Sequence, residues 1–201
     1  KDPMTLIKAI ETIKNKISLQ VIMVGEGELK SKMEKYISNH NLKEIFRIIE
    51  PLEKKELEKY YLQSDVFVLP SKEEAYGIVV LEALSYGLPV VTTRSGGPSK
   101  FINENKNGYL VKKENPVQLG NAIIKAIINQ KRLGKNARIL AKEQFSWKKG
   151  FSKFYNLYFE LFKEPAKKTK NKISFVIEEP FTFNTPAPSR ISNIIKNIEE
   201  Y

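Results

Sequence analysis

The chain has 201 residues, 41% of them apolar and 28% charged, which is enough for one sizeable α/β core or two small ones. It contains no run near the ~20 apolar residues of a membrane span, and no apolar signal-peptide core lies behind its basic, proline-containing start. Without cysteine there is no disulfide framework, thiolate nucleophile or thiolate metal site, a composition that suits a reducing cytoplasm, and the net charge of +11 raises nucleic acid as a partner to be tested against the motifs.

Asp2-Pro3 followed by Leu6, Ile7, Ile10 and Ile13 predicts an N-cap, a proline at N1 and an amphipathic helix, because the apolar positions recur at three and four residues. Residues 19–24 form a short β-rich run ending in Gly25-Glu26-Gly27, and Leu29, Met33, Tyr36 and Ile37 mark a second helix. A strand over 46–49 and a helix over 54–62 come next. The strand over 66–69 is closed by Pro70-Ser71 and leads to a helix over 77–86. A strand over 89–92, a short helix over 99–103 and a strand over 109–111 precede three helices over 117–129, 131–144 and 147–163. Strands alternating with helices predict an α/β fold with a Rossmann-like, doubly wound parallel sheet, and the apolar strand runs agree, since such strands are covered on both sides. A domain of this kind begins with a strand, and none precedes Asp2, so the segment is expected to be truncated at its N-terminus and to start inside a larger polypeptide. Residues 164–172 have almost nothing apolar to bury and read as a basic linker. Beyond them, a strand over 173–177 and a proline-rich loop lead to Ser189, the N-cap of a helix with Ile191, Ile194, Ile195 and Ile198 on one face.

Scarcity narrows the chemistry. The single histidine, His40, lies in a polar stretch and reads as a solvated loop residue, so one chain can build neither a Ser-His-Asp triad nor a two-His metal site. Asp2 and Asp65 are the only aspartates, and no Asp-x-Asp site for Mg²⁺ exists. The charge is local as well. Residues 1–130 hold 19 basic against 16 acidic side chains, 131–172 hold 13 against 3, and 173–201 hold 2 against 4. No zinc spacing, RNP-type aromatic run or heptad accompanies the basic patch, and no nucleic-acid partner is expected.

Two stretches could carry chemistry. Gly25-Glu26-Gly27-Glu28-Leu29-Lys30 imitates the start of a dinucleotide fingerprint, but Lys30 occupies the third glycine position and the two glutamates would repel a pyrophosphate. As structure, Gly25 is a tight turn from strand to helix. In residues 70–91 a strand ends at Pro70, a loop carries Glu74, and a helix starts near Gly77. The free N–H groups of Tyr76, Gly77 and Ile78 therefore face the carboxyl edge of the sheet, where a helix N-terminus can hold a diphosphate. Glu82 is the only charged side chain from Ala75 through Thr93, and a carboxylate among apolar residues needs hydrogen-bond donors, such as the cis-diol of a ribose. From the residues alone, Glu82 reads equally as a surface position or the partner of a structural lysine.

Glu74 and Glu82, with seven residues between them, resemble the E-x7-E element of retaining glycosyltransferases with the GT-B fold, in the large family usually numbered four. The resemblance extends through Pro70-Ser71, Glu74-Ala-Tyr-Gly77, Glu82-Ala83, Gly87-Leu-Pro-Val-Val91, Gly96-Gly97 and Asn107-Gly108-Tyr-Leu-Val111, and covers residues 1 to about 162. It implies that residues 1–163 are a C-terminal, nucleotide-sugar donor-binding domain. Within it Glu82 would hold the ribose, Glu74 the donor-sugar hydroxyls, the backbone at Tyr76, Gly77 and Ile78 the sugar and diphosphate, and Gly25 a further donor contact. Lys1 falls where the family has the lysine closing an Arg-x4-Lys phosphate clamp; the competing reading is an unremarkable terminal lysine. Glu50 stands where the family usually has a glycine after its third strand, and Lys100 where a glutamate is common after Gly-Gly-x-x.

The implied reaction is hexosyl transfer from a nucleotide sugar to an acceptor hydroxyl with retention of anomeric configuration, the leaving phosphate assisting attack on the same face, with no cofactor and no bound metal. The segment alone is expected to be inactive without its acceptor domain. The alternative is a catalytically inactive nucleotide-sugar-binding regulatory or scaffold module. Residues 173–201 resemble the first strand and helix of a GT-B N-terminal domain, which implies a tandem arrangement; an appended edge strand is the competing reading. The basic residues 131–172 lie beside Trp147, Phe151, Phe154, Tyr155, Tyr158 and Phe162. They suggest peripheral contact with an acidic membrane, on its cytoplasmic inner face, bearing a glycan or lipid-linked acceptor; the rival is packing of these aromatics against a missing domain.

Overall fold

Asp2 caps the first helix, α1 (Pro3–Ile13): its carboxylate accepts from the Thr5 N–H at 3.2 Å and from the Thr5 hydroxyl at 2.6 Å, and Pro3 takes a position where a missing N–H costs nothing. The computed structural model describes residues 1–146, 151–152 and 155–158. After α1 the chain runs through β1 (Val21–Val24), α2 (Lys30–Asn39), β2 (Phe46–Ile49), α3 (Lys54–Gln63), β3 (Phe67–Leu69), α4 (Ile78–Ser85) and β4 (Val90–Thr93). A 3₁₀ turn (Gly97–Lys100), β5 (Gly108–Val111), α5 (Pro116–Ile128) and α6 (Gln130–Gln144) complete the described elements. They belong to one compact unit, residues Lys1–Phe159. The linker over 164–172, the strand-loop-helix over 173–201, and Trp147, Phe154 and Phe162 of the aromatic stripe lie outside the described residues.

Among the described residues all strand pairs are parallel, as the alternation of elements requires. The strands pair as two sheets. β1 pairs with β2, in register from Val21 opposite Phe46, and β4 lies between β3 and β5, with Val91 opposite both Val68 and Tyr109. A cavity of about 700 Å³ is lined from one side by Ile22 and Val24 of β1 and from the other by Phe67 and Leu69 of β3.

Side chains of the three-stranded sheet alternate between two cores, the mark of strands covered on both faces. Val91, Tyr109 and Val111 pack with Leu6, Ile10 and Ile13 of α1 and Leu119 and Ile123 of α5. Leu69, Val90 and Leu110 point the other way, against Tyr61 of α3, Val80 and Leu84 of α4, and Ala137 of α6. α1 also reaches α2, through Ile7 against Met33 and Ile37.

Two local expectations need correction. The short helix expected over 99–103 is a 3₁₀ turn two residues earlier, because Pro98 enters it at its start and Gly96 precedes it. His40 is not a solvated loop residue. It ends α2 half-buried, its ring stacked on Tyr36 at 3.8 Å, its Nδ1 2.8 Å from the Tyr36 carbonyl, and its own carbonyl accepting from Lys14 Nζ at 2.9 Å.

Candidate functional site

The carboxyl edge of β3 and β4 is built by two loops bound to each other. The loop after β3 carries Pro70, Ser71 and Glu74 into α4, and the loop after β4 carries Ser95, Gly96 and Gly97. The Glu74 N–H donates to the Ser95 carbonyl at 2.9 Å and the Gly97 N–H to the Glu74 carbonyl at 3.0 Å, so the strand pairing continues beyond the strands. Beneath them, the Thr92 hydroxyl donates to the Leu69 carbonyl at 2.8 Å and the Thr93 hydroxyl to the Ser71 carbonyl.

The glycines of this stretch allow that approach. A Cβ on Gly97 would fall 2.4 Å from the Ala75 carbonyl oxygen, and one on Gly96 2.8 Å from that of Glu74. Gly77 combines a left-handed φ of +81° with a Cβ position 2.6 Å from Pro98 Cγ, so the residue before α4 is glycine for two separate reasons. α4 has no side-chain cap at its N-terminus. Its first N–H groups, lacking intrahelical acceptors, therefore open on the carboxyl edge, where Tyr76 and Ile78 are exposed and Gly77 is buried.

Of the residues singled out in the sequence, Lys1 and Glu74 meet although 73 positions separate them: the ammonium is ion-paired with the Glu74 carboxylate, and Glu74 is the more enclosed partner. Glu82 has a different neighbour. Half-buried on α4, it accepts a hydrogen bond from the Tyr61 hydroxyl at 3.2 Å, while the Tyr61 ring stacks in parallel on Tyr86 at 5.1 Å. Burial, and then the charge of Glu82, push the Tyr61 phenol well above its ordinary value, so Tyr61 remains a donor. Gly25 turns the chain from β1 toward α2 with φ +139°, donates its N–H to the Ile49 carbonyl at 2.9 Å, and would carry a Cβ into open space. Lys1 and Gly25 line the cavity between the sheets; Glu74, Tyr76, Gly77, Ile78 and Glu82 do not.

Tyr61 and Tyr86 escaped the sequence reading. Both sit in helical runs as ordinary aromatic positions, and only the packing of α3 on α4 turns one phenol onto Glu82. A second connection was also invisible: Lys30 and Glu50, two departures from motif read separately, form an ion pair with each other. Among the described residues, no group of three or more His, Cys, Asp or Glu side chains is placed to hold a metal ion.

The family model for glycosyl transferases, group 1, matches residues 1–144. An uncharacterized glycosyltransferase of Methanocaldococcus jannaschii is 32% identical over 158 residues, which are 76% of this chain and 43% of that protein. A crystal structure of S. aureus TarM, in complex with fondaparinux, alpha-GlcNAc-glycerol and UDP, superposes with a TM-score of 0.70 at 28% identity, over 79% of this chain and 33% of that one. The C-terminal domain of a group 1 glycosyl transferase of Francisella tularensis has the same fold, with a TM-score of 0.67 at 22% identity over 73% of this chain and 80% of that domain. The chain thus spans less than half the length of the Methanocaldococcus and S. aureus proteins. The expectation raised by residues 70–111 holds at the level of family and of Rossmann-like α/β fold: the chain belongs to the group 1 glycosyl transferases.

Proposed function

We propose that residues 1–163 form the donor-binding half of a retaining, hexosyl-transferring enzyme that moves a sugar from a nucleoside diphosphate sugar to an acceptor hydroxyl. The observation that carries this reading is the uncapped α4 N-terminus at the carboxyl edge, with Glu74 on the loop that approaches it and Glu82 one turn inside. The diphosphate lies against the backbone N–H groups of Tyr76, Gly77 and Ile78, where the helix carries partial positive charge. Glu82 accepts from the ribose hydroxyls, Glu74 from hydroxyls of the transferred sugar, and Gly25 leaves room for the donor on the opposite rim. When the donor binds, Lys1 exchanges Glu74 for a phosphate oxygen.

In the reaction, the bond from the anomeric carbon to the phosphate oxygen breaks. The acceptor oxygen bonds to that carbon from the same face, and the acceptor proton passes to the departing diphosphate. Charge accumulates on the diphosphate, where the N–H groups and Lys1 stabilise it without a metal or a cofactor. The UDP held by the S. aureus relative supports a nucleotide as ligand. The acceptor is a glycan or lipid-linked hydroxyl presented by another part of the protein, and the segment by itself does not turn over. No helix of the described residues is long and apolar enough to cross a membrane. Contact with an acidic membrane surface on the cytoplasmic side is assigned to residues 131–172, where Phe151, Tyr155 and Tyr158 are exposed.

A panel of UDP-, GDP- and ADP-sugars supplied to the full-length protein, with and without EDTA, tests this reading. A product whose anomeric configuration by NMR matches the donor, formed equally well in EDTA, is the expected result. An inverted product, or activity lost on chelation, contradicts it.

A further inference from the structure

We propose that Tyr61 is a positioning residue for ribose recognition: its phenol holds the Glu82 carboxylate in the orientation that receives the sugar hydroxyls. The inference rests on the assignment of Glu82 to the ribose, and it adds a group that does not itself touch the ligand. A glutamate side chain has several rotatable bonds, and an untethered carboxylate must be ordered each time a ligand binds, at a cost to affinity. Glu82 is tethered. The Tyr61 hydroxyl donates to its Oε2 at 3.2 Å, taking one of the roughly four lone-pair sites of the carboxylate and leaving Oε1 and the second site on Oε2 for a diol.

The donor is itself fixed. Tyr61 is 9% exposed, its ring lies parallel to Tyr86 at 5.1 Å and meets Phe67 at 5.9 Å, and these contacts come from two elements other than its own α3: the end of α4 and β3. Such a ring cannot swing its hydroxyl toward another acceptor without breaking the packing. The phenol also stays protonated, since burial and the neighbouring negative charge both oppose its ionisation.

The test uses Tyr61→Phe in the full-length protein, a change that keeps the ring stack and removes only the hydroxyl. Calorimetry is run with UDP and with 2′,3′-dideoxyuridine diphosphate. In the parent, UDP should bind more tightly than the dideoxy analogue. In Tyr61→Phe, UDP should lose about three- to tenfold in affinity while the dideoxy analogue binds as before, so the ratio between them narrows. In a Glu82→Gln background, Tyr61→Phe should change the ratio no further, which identifies the coupling as one that runs through Glu82. If the variant keeps the parent's ratio, or weakens both ligands equally, Tyr61 is merely structural and the proposal is overturned. If the parent itself fails to distinguish the two ligands, the assignment of Glu82 to the ribose falls, and the positioning role falls with it.

Discussion

Gly77 has two constraints acting on one atom. A methyl there would meet Pro98 at 2.6 Å and would also have to tolerate φ +81°, so Gly77→Ala moves either the 3₁₀ turn or the start of α4. Destabilisation of about 1–3 kcal/mol, read from urea midpoints, is the expected outcome, with a loss of nucleoside diphosphate affinity beyond what stability explains. Glu74 and Glu82 lie eight positions apart, yet their surroundings differ: one faces an exposed ammonium and the other a buried phenol. Glu74→Gln should therefore bind a nucleoside diphosphate no more weakly than the parent, since Lys1 no longer has a carboxylate to give up, while lowering turnover of the full-length protein, because the partner assigned to Glu74 is the transferred sugar. The Lys30–Glu50 pair carries a different lesson. In the sequence each residue looks like an isolated departure from a motif, and the structure shows that they compensate each other's charge, Lys30 from the first turn of α2 and Glu50 from the end of β2.

At the scale of elements, the sequence was most legible where a backbone requirement has a distinctive residue. Asp2-Pro3 marks the start of α1; Asn115-Pro116 starts α5 in the same way, with the Asn115 side chain accepting from the Gln118 N–H at 2.9 Å, a signal passed over by the expectation of a helix beginning at 117. Asp2→Ala should cost about 0.5–2 kcal/mol in urea denaturation, since the two bonds to Thr5 lose their acceptor. The 3₁₀ turn was less legible, because Pro98 and two glycines permit several turn geometries and the one adopted is chosen by its fit to the Glu74 loop. His40 departs from expectation because, although its local sequence is polar, its ring stacks on Tyr36 one helical turn earlier and Lys14 reaches its carbonyl from the end of α1, leaving it half-buried. Asn107 was read only as part of a family motif. Buried at 1% exposure, it donates from Nδ2 to the Phe101 carbonyl at 2.9 Å and accepts from the Asn103 N–H at 2.8 Å, locking the loop between the 3₁₀ turn and β5.

For the whole molecule, alternation of strand and helix was sufficient to give a parallel, two-faced α/β fold, because apolar strands need cover on both sides. The division into two sheets was not legible, since which strands pair depends on long-range contacts. Net charge was also a poor guide to surface: part of the basic excess on α6 is structural, with Arg132 donating to the Asn105 carbonyl at 2.7 Å. Sedimentation with anionic vesicles at low salt should still carry down the full-length protein, and its absence would end the membrane assignment. Tyr61 contributes to the alkaline limb of stability, as do Tyr36 and Tyr86, whose phenols are also pushed up by burial and by neighbouring glutamates. Its folded pKa is raised, so its contribution is complete below the ordinary value of 10.0 and is lost as the pH climbs from there toward the raised value; stability should be flat through neutrality and fall above pH 10, less steeply in Tyr61→Phe.

The central claim is that the α4 edge holds a nucleoside diphosphate through Glu82 without a metal, and calorimetric titration of the full-length protein with UDP and GDP in EDTA tests it most directly. The parent should bind at least one of the two, Glu74→Gln should bind it at least as well, and Glu82→Gln should bind about ten- to a hundredfold more weakly, the loss of hydrogen bonds to a charged acceptor. Equal binding by Glu82→Gln and the parent, or binding that disappears on chelation, would contradict the account.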